Sequence, residues 1–120
     1  MVRLLIYRFR TRGIQIPINL QLVAMENGRS RTTINVFVSG KVQGVFFRST
    51  MKTVAESNNV VGWVRNLPNG DVEALVQGNE GDVNRVIEWC RLGPSGAKVT
   101  DVRSMRVEEA QVFRNFAILY

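Results

Sequence analysis

The sequence predicts an α+β domain in which strands and helices follow in the order βαββαβ, with one further short strand at the end. Three observations predict this class. Segments rich in β-branched and aromatic residues alternate with segments whose apolar residues recur at helical spacing. Turns that contain glycine or proline separate these segments. The chain has 120 residues, of which 45% are hydrophobic, and this is enough for one domain with a small core.

The first strand, loop and helix are predicted between residues 34 and 59. Residues 34–39 are mainly β-branched or aromatic, which is typical of a strand. Residues 40–44 begin and end with glycine and predict a loop. The apolar residues that follow recur with the spacing of one helix face: Phe47, Met51, Val54 and Ala55. The polar residues 57–59 predict the end of this helix.

A β-hairpin is predicted next. Residues 60–64 form its first strand, and residues 66–70 contain Asn69-Gly70, the dipeptide most typical of a tight hairpin turn. The second strand of the hairpin begins at Val72. Its apolar side chains alternate onto one face, and Asp71, Glu73 and Gln77 lie near or on the other face.

The second helix and the last two strands complete the pattern. Asn79 resembles a helix N-cap, with an acidic residue, Asp82, three positions later. The apolar face of this helix consists of four residues: Val83, Val86, Ile87 and Cys90. Gly93-Pro94 ends the helix, and strands follow at residues 99–107 and 116–120. The order is that of a ferredoxin-like sandwich, so we expect an antiparallel sheet with two helices on one face.

Residues 1–30 form a basic N-terminal extension outside this pattern. The first 24 residues contain four arginines and no acid, so they carry four of the six net positive charges. Three interpretations remain open: a disordered, non-essential extension upstream of a start at Met25; an additional edge strand at residues 14–22, which contain Pro17; and a targeting segment. No apolar run of about 18 residues is present, so we expect no membrane-spanning segment.

The composition excludes several kinds of catalysis. The chain contains no histidine, which excludes Ser-His-Asp and Cys-His catalysis and any zinc site with histidine ligands. The single cysteine, Cys90, cannot form an internal disulfide. Its place on an apolar helix face predicts a core residue rather than a nucleophile. Any catalysis must therefore use arginine, lysine, carboxylates, amides, hydroxyls, backbone groups or the substrate itself.

The loop between the first strand and the first helix is the most informative segment. Glycine lets the backbone approach a ligand closely, and backbone N–H groups in such a loop can converge on an anion. The helix N-terminus adds further donors, and an arginine in the first turn adds a planar fork for phosphate. The predicted phosphate-binding residues are Val42, Gln43, Gly44, Val45, Phe46, Phe47 and Arg48. On spacing alone, a simple connection followed by a solvated arginine remains the alternative.

Asn66 is the second candidate because it lies where the second predicted strand ends. Its amide offers a donor and an acceptor, which together can hold a water molecule in one orientation. The alternative is a turn residue that bonds to its own backbone.

These two segments together resemble the acylphosphatase family. The family signature Gly-x-Val-Gln-Gly-Val-x-Phe-Arg is matched by residues 40–48, and the signature Gly-Trp-Val-x-Asn with its following turn is matched by residues 62–70. The resemblance continues through residues 93–94 and the closing residues 116–120. Phe46 is a departure, because many members have glycine there, and we interpret it as altered packing rather than lost activity.

The resemblance implies an acylphosphatase-like domain at residues 31–120 that hydrolyses acylphosphates to a carboxylate and inorganic phosphate. It implies that Arg48 and the loop N–H groups bind the phosphoryl group, that Asn66 positions the attacking water, and that no metal or cofactor takes part. It also suggests that the carboxylate of Tyr120 approaches Arg48 if the last strand lies beside the first. The absence of histidine fits, because phosphoryl transfer needs mainly positioning and charge stabilisation.

We expect a small-molecule acylphosphate substrate, a monomer, a cytoplasmic location, and neither nucleic acid nor membrane as partner. An RNA-recognition module shares the element order and suits the net charge of +6, but the third strand, residues 71–76, is acidic and lacks aromatic residues. An acylphosphatase-like domain with a regulatory or carrier role is a second alternative.

Overall fold

The structure is a computed structural model that describes residues 31–120. The predicted N-terminal extension at residues 1–30, which includes the edge strand considered at residues 14–22, lies outside the described residues. The described part contains five strands and two helices in the predicted order: β1 (Arg31–Lys41), α1 (Phe47–Ser57), β2 (Val61–Asn66), β3 (Val72–Asn79), α2 (Glu80–Leu92), β4 (Lys98–Arg106) and β5 (Phe116–Leu119). Neither of these two helices has the length and apolar character needed to cross a membrane.

The five strands form one sheet in the order β4-β1-β3-β2-β5. β1 pairs with β4 and β2 pairs with β3, both antiparallel. β5 pairs with β2 in the parallel direction, with Phe116 opposite Gly62. The sheet is therefore mixed rather than antiparallel throughout. The last strand, β5, does not lie beside β1, because β4 already pairs with the free edge of β1. The chain instead crosses the sheet, and β5 covers the edge of β2.

The core lies between the two helices and one face of the sheet. Alternate positions of β1 and β3 point into it, and the helix faces predicted from spacing are buried there. The fully or almost fully buried members include Val36, Val38, Phe47, Met51, Ala55, Val72, Ala74, Val76, Val83, Val86 and Cys90. Trp89 packs against this core, with its ring centroid 5.1 Å from that of Phe47. The predicted ferredoxin-like sandwich is confirmed.

Cys90 is a core residue, as predicted. Its side chain is fully buried and its sulfur lies 4.0 Å from that of Met51. Burial raises the pKa of the Cys90 thiol to about 12, against a smaller lowering by the charge of Arg91. The thiol is therefore protonated at neutral pH, which removes its value as a nucleophile.

Two polar residues on the face of β3 away from the helices are buried, although an open sheet face is usually solvated. Glu73 pairs with Arg65, with 2.7 Å between Oε1 and Nη2, and accepts a hydrogen bond from Asn35. Gln77 donates to the carbonyl oxygen of Gln111 at 2.8 Å and accepts from the backbone N–H of Phe113 at 3.0 Å. The segment after β4 therefore covers this end of the face.

The structure departs from the sequence prediction at the end of β1 and in one detail of the start of α2. β1 continues through Gly40, where φ is +123° and a Cβ would lie 2.1 Å from the carbonyl oxygen of Lys98. Only glycine fits this close approach between β1 and β4. Asn79 stands at the N-cap of α2, as predicted, but its side chain forms no capping hydrogen bond. Glu80 and Asp82 supply negative charge to that helix end instead.

Candidate active site

A pocket of about 330 Å³ lies where the β1–α1 loop, the end of β2 and the end of β5 meet. Its lining residues are Val42, Gly44, Phe46, Phe47, Arg48, Ser49, Asn66, Ile118 and Tyr120. The two candidate segments, separate in sequence, therefore contribute to one cavity. These lining residues include no carboxylate side chain, and Arg48 carries the one charged side chain among them, which is positive.

The loop turns toward the pocket through two residues with positive φ. Gly44 has a φ of 75°, and Phe46 has a φ of 64° and a ψ of 28°, which is the left-handed helical region. Phe46 is the N-cap of α1 and forms no side-chain capping bond. No loop or cap hydrogen bond within residues 31–120 uses the backbone N–H groups of residues 44–48. These donors are therefore available to an anion in the pocket.

Arg48 lies in the first turn of α1 and is held from β5. Its Nη1 donates to the carbonyl oxygen of Leu119 at 3.4 Å, and its guanidinium carbon lies 4.9 Å from the centre of the Tyr120 ring. It forms no ion pair with any residue of the described range, the carboxylate of Tyr120 included. The guanidinium therefore keeps most of its donors for a ligand.

The expected contact between Arg48 and the Tyr120 carboxylate is replaced by contacts with the Tyr120 ring and the Leu119 carbonyl. The reason is the position of β5. Because β5 runs parallel to β2, its last residues reach the same edge of the sheet as Asn66. The end of β5 therefore approaches Arg48 from the side of β2 rather than from the side of β1.

Asn66 is the last residue of β2, opposite Val72 in the hairpin, and its side chain is half-buried at the pocket. Its amide forms no hydrogen bond with the side chains or backbone that the structure describes. The turn bond that we considered for Asn66 is instead made by Asn69, whose Oδ1 accepts from the backbone N–H of Asp71 at 3.0 Å. The Asn66 amide is thus free to bind a molecule in the pocket.

Gln43 and Val45 belong to the predicted phosphate loop, but their side chains do not line the pocket. Val45 packs against the core. The Nε2 of Gln43 donates to the carbonyl oxygens of Leu67 and Asp71, both at 2.8 Å. Gln43 therefore ties the loop that precedes Arg48 to the hairpin that carries Asn66. The glycine-bounded loop pattern favours a ligand site, but it does not predict these hydrogen bonds between Gln43 and the hairpin.

Three lining residues were not predicted as site residues from the loop pattern: Ser49, Ile118 and Tyr120. Ser49 follows Arg48 in the first turn of α1, and its Oγ donates to the carbonyl oxygen of Phe46 at 3.3 Å. Its proximity to Arg48 in sequence is the signal that could have found it. The other two enter through the position of β5, which the sequence pattern does not specify. Within residues 31–120, no group of His, Cys, Asp and Glu side chains is arranged to hold a metal ion.

Comparison with known families agrees with this geometry. Residues 34–118, which include both candidate segments, match the family model for acylphosphatase. The chain belongs to the acylphosphatase family. The predicted resemblance is thus confirmed, and the chain is an enzyme of the acylphosphatase type.

Known acylphosphatases are similar to this chain in sequence and in fold. The acylphosphatase of Pyrobaculum aerophilum is 50% identical over 86 residues, which are 71% of this chain and 90% of that protein. The acylphosphatase of Syntrophus aciditrophicus is 48% identical over 87 residues, or 72% of this chain and 91% of that protein. The structure of an acylphosphatase from Coxiella burnetii matches with a TM-score of 0.74 and 36% identity, over 78% of this chain and 98% of that one.

Proposed function

We propose that this enzyme hydrolyses the carboxyl–phosphate bond of a small acylphosphate, with Arg48 and the backbone N–H groups of residues 44–48 binding the phosphoryl group and Asn66 positioning the attacking water. One observation carries the proposal. A single pocket joins an arginine that forms no ion pair in the described range, loop and helix N–H groups without hydrogen-bond partners there, and an amide with unused capacity. Each of these groups suits one part of the reaction.

The phosphoryl group has a natural position at the start of α1. Backbone N–H donors and the positive end of the helix dipole favour an anion there, and the guanidinium of Arg48 adds a charged planar fork. The N–H groups belong to the backbone, and Arg48 is held beside them by Leu119 and Tyr120. The N–H groups and Arg48 stabilise the charge that spreads over the equatorial phosphoryl oxygens in the transition state, and they need little reorganisation to do so.

Asn66 suits the role of water holder. Its side-chain oxygen can accept one hydrogen of a water molecule, which directs a lone pair of the water oxygen toward phosphorus. A new bond forms between the water oxygen and phosphorus as the bond between phosphorus and the acyl oxygen breaks. The electron pair of that bond leaves with the carboxylate, and the water proton passes to a phosphoryl oxygen of the substrate.

The residue types in the pocket agree with this chemistry. A carboxylate is a weak base and a good leaving group, so its departure requires little help from a general acid. The lining contains no imidazole or carboxylate side chain that would serve as a general base. Positioning and charge stabilisation therefore supply most of the proposed rate enhancement.

The Asn66→Ala variant tests the proposal by hydrolysis of benzoyl phosphate in the presence of EDTA. The wild-type chain is expected to be active, and Asn66→Ala is expected to lose at least about a hundredfold in kcat. Inhibition by inorganic phosphate is expected to change by less than about twofold, because the phosphoryl site is intact. The exposed Asn84 on α2 provides the matched control, Asn84→Ala, which is expected to retain full activity.

An inactive wild-type chain, or a fully active Asn66→Ala variant, would contradict the proposal. A domain with a regulatory or carrier role would bind phosphate but hydrolyse no benzoyl phosphate, so the same assay separates that alternative. We favour a small-molecule substrate over a nucleic acid, because an RNA-recognition sheet stacks bases on its aromatic rings. Here the Phe37 ring lies 5.7 Å from the guanidinium carbon of Arg103, and the Trp63 ring lies 5.3 Å from that of Arg65. Both rings are therefore partly covered by arginine. The monomeric state and the cytoplasmic location stay predictions.

A further inference from the structure

Phe46 combines two features that neither the core nor phosphate binding requires. Its backbone is in the left-handed helical region, with φ at 64° and ψ at 28°, which is unfavourable for a bulky side chain. Its side chain is 80% exposed, so hydrophobic burial does not offset the strain. The altered packing expected at this position is therefore not what the ring provides, because the ring lies outside the core.

A second residue of the described range shows how unusual this is. Asn59 also has a positive φ, of 58°, but asparagine tolerates this conformation well. Phenylalanine tolerates this backbone conformation poorly. An anion site needs only the backbone N–H of residue 46 and not its ring. Strain at a pocket that is held in place by the surrounding fold is a reason to look for a function of the side chain.

The position of the ring suggests that function. Phe46 lines the pocket two residues before Arg48, together with Ile118 and Tyr120. Tyr120 is 99% exposed, and its ring lies near the Arg48 guanidinium. Within residues 31–120, no other aromatic ring and no guanidinium lies against the Phe46 ring, which leaves the ring open to a ligand. The pocket thus has a polar region of N–H groups and guanidinium beside an apolar rim.

An acylphosphate has the same two-part character. Its phosphoryl group is anionic, and its acyl group begins one oxygen atom away. When the phosphoryl group lies against the start of α1, an acyl group of the size of a benzene ring reaches only the immediate surroundings of Arg48, where Phe46 and Tyr120 lie. A flat aromatic group can pack on an aromatic ring in an offset or edge-to-face arrangement, whereas a methyl group offers little area.

We propose that Phe46, with Tyr120 of the same pocket, binds the acyl group and makes the enzyme selective for acylphosphates with aromatic acyl groups. This inference rests on the proposed function of the pocket. The ring acts on specificity, because it contacts the part of the substrate that distinguishes one acylphosphate from another. The phosphoryl end is common to all of them.

The test compares kcat/KM for benzoyl phosphate with kcat/KM for acetyl phosphate in the same variants. Phe46→Gly removes the ring and accepts the left-handed backbone, and it is expected to lower the benzoyl-to-acetyl ratio about three- to tenfold. Phe46→Tyr keeps an aromatic ring and is expected to retain the wild-type ratio. Leu92→Ala removes a side chain that is 75% exposed and outside the pocket, and serves as the matched control.

The ratio separates acyl recognition from damage to the loop, because loss of phosphoryl binding lowers both rates together. Inhibition of Phe46→Gly by inorganic phosphate is expected to match that of wild type, which would show a folded chain with an intact phosphoryl site. An unchanged ratio in Phe46→Gly, or an equal fall in Leu92→Ala, would overturn the inference while leaving acetyl phosphate turnover and the proposed function in place. A wild-type chain that hydrolyses neither substrate would overturn both.

Discussion

The two helices of the domain begin in different electrostatic surroundings. Neither has a side-chain capping bond at its N-terminus. The first turn of α2 contains the acidic residues Glu80 and Asp82, and Arg85 pairs with Asp82. The first turn of α1 contains no acidic residue, and it carries Arg48. The start of α2 thus carries its own anions, whereas the start of α1 does not.

This difference explains why only one of the two helix ends is a candidate site. The N-terminus of a helix carries a partial positive charge and unsatisfied N–H groups, and both favour an anion. Glu80 and Asp82 supply that anion within α2. At α1 no acidic residue supplies the anion, so a bound ligand can do so, and Arg48 adds further positive charge. The comparison predicts large effects from changes at α1 and small effects from equivalent changes at α2.

Neutralising Arg48 is expected to have the largest effect. In Arg48→Gln, the guanidinium fork is lost, so both phosphate binding and transition-state stabilisation weaken. We expect kcat/KM for benzoyl phosphate to fall on the order of a thousandfold. Thermal unfolding is expected to change little, because Arg48 forms one hydrogen bond of 3.4 Å and no ion pair within the described range.

Arg85→Gln is the matched control on α2, since it removes the same charge from the helix end that supplies its own acids. Its activity is expected to stay within about twofold of wild type. Its stability is expected to fall by about 1 kcal/mol, because the largely exposed Arg85 loses its ion pair with Asp82 and its hydrogen bond to Asn58. Equal losses of activity in the two variants would remove the distinction between the helix ends.

Adding an acid to the first turn of α1 is expected to make it resemble α2. Ser49 is exposed in that turn and lines the pocket, so Ser49→Asp places a carboxylate beside Arg48. The helix dipole favours this charge by about 0.5 kcal/mol, so the free energy of unfolding is expected to rise slightly. The same carboxylate repels the substrate, and kcat/KM is expected to fall about thirtyfold.

Ser49→Asp is informative because its stability is expected to rise while its activity falls. Urea unfolding and benzoyl phosphate kinetics on the same preparation measure both. Asp82→Asn makes the reverse change at α2, and it is expected to lose about 0.5 kcal/mol of stability with unchanged kinetics. If Ser49→Asp binds phosphate as well as wild type does, the start of α1 is not the anion site.

Removing the tie between the loop and the hairpin is expected to have a smaller effect on turnover. Gln43→Met keeps the length of the side chain but removes two hydrogen bonds, those to the carbonyl oxygens of Leu67 and Asp71, each of which keeps one backbone donor. We expect a loss of about 1–3 kcal/mol in urea unfolding and about a tenfold fall in kcat, because Asn66 and Arg48 are held less precisely relative to each other.

Asn69→Ala is the control for this variant, because it alters the same hairpin without touching the tie. It removes an acceptor that the backbone N–H of Asp71 uses in the exposed turn. Its kcat is expected to stay within about twofold of wild type. A fall in kcat as large as that of Gln43→Met would assign the effect to the turn in general and not to the hydrogen bonds of Gln43.

Much of the fold could be predicted because its signals are local. The apolar stripe of α1 and that of α2 follow from residue spacing, and the Asn69-Gly70 turn marks the hairpin. The burial of Cys90 follows from its place in such a stripe. The pairing of β5 with β2 has no comparable local signal, since a four-residue strand fits either edge of the sheet. The contact of Arg48 with Leu119 depends on that pairing and was missed, and Tyr120 was expected to approach Arg48 through its carboxylate rather than through its ring.

The candidate site divides in the same way. Val42, Gly44, Phe46, Phe47, Arg48 and Asn66 were predicted as site residues, and the structure brings all six to one pocket. The partners of Gln43 could not be predicted, because they are backbone carbonyls at a distance along the chain. The strain at Phe46 was also not evident, because a sequence does not show the sign of φ.

The most direct test of the proposed mechanism is the fate of oxygen from water. Benzoyl phosphate is hydrolysed by the wild-type enzyme in ¹⁸O-labelled water, and the products are analysed by mass spectrometry after subtraction of the uncatalysed reaction. Attack on phosphorus by a water held at Asn66 places one labelled oxygen in inorganic phosphate and none in benzoate. Label in benzoate would show that water attacks the acyl carbon, and it would contradict the roles proposed for Arg48 and Asn66.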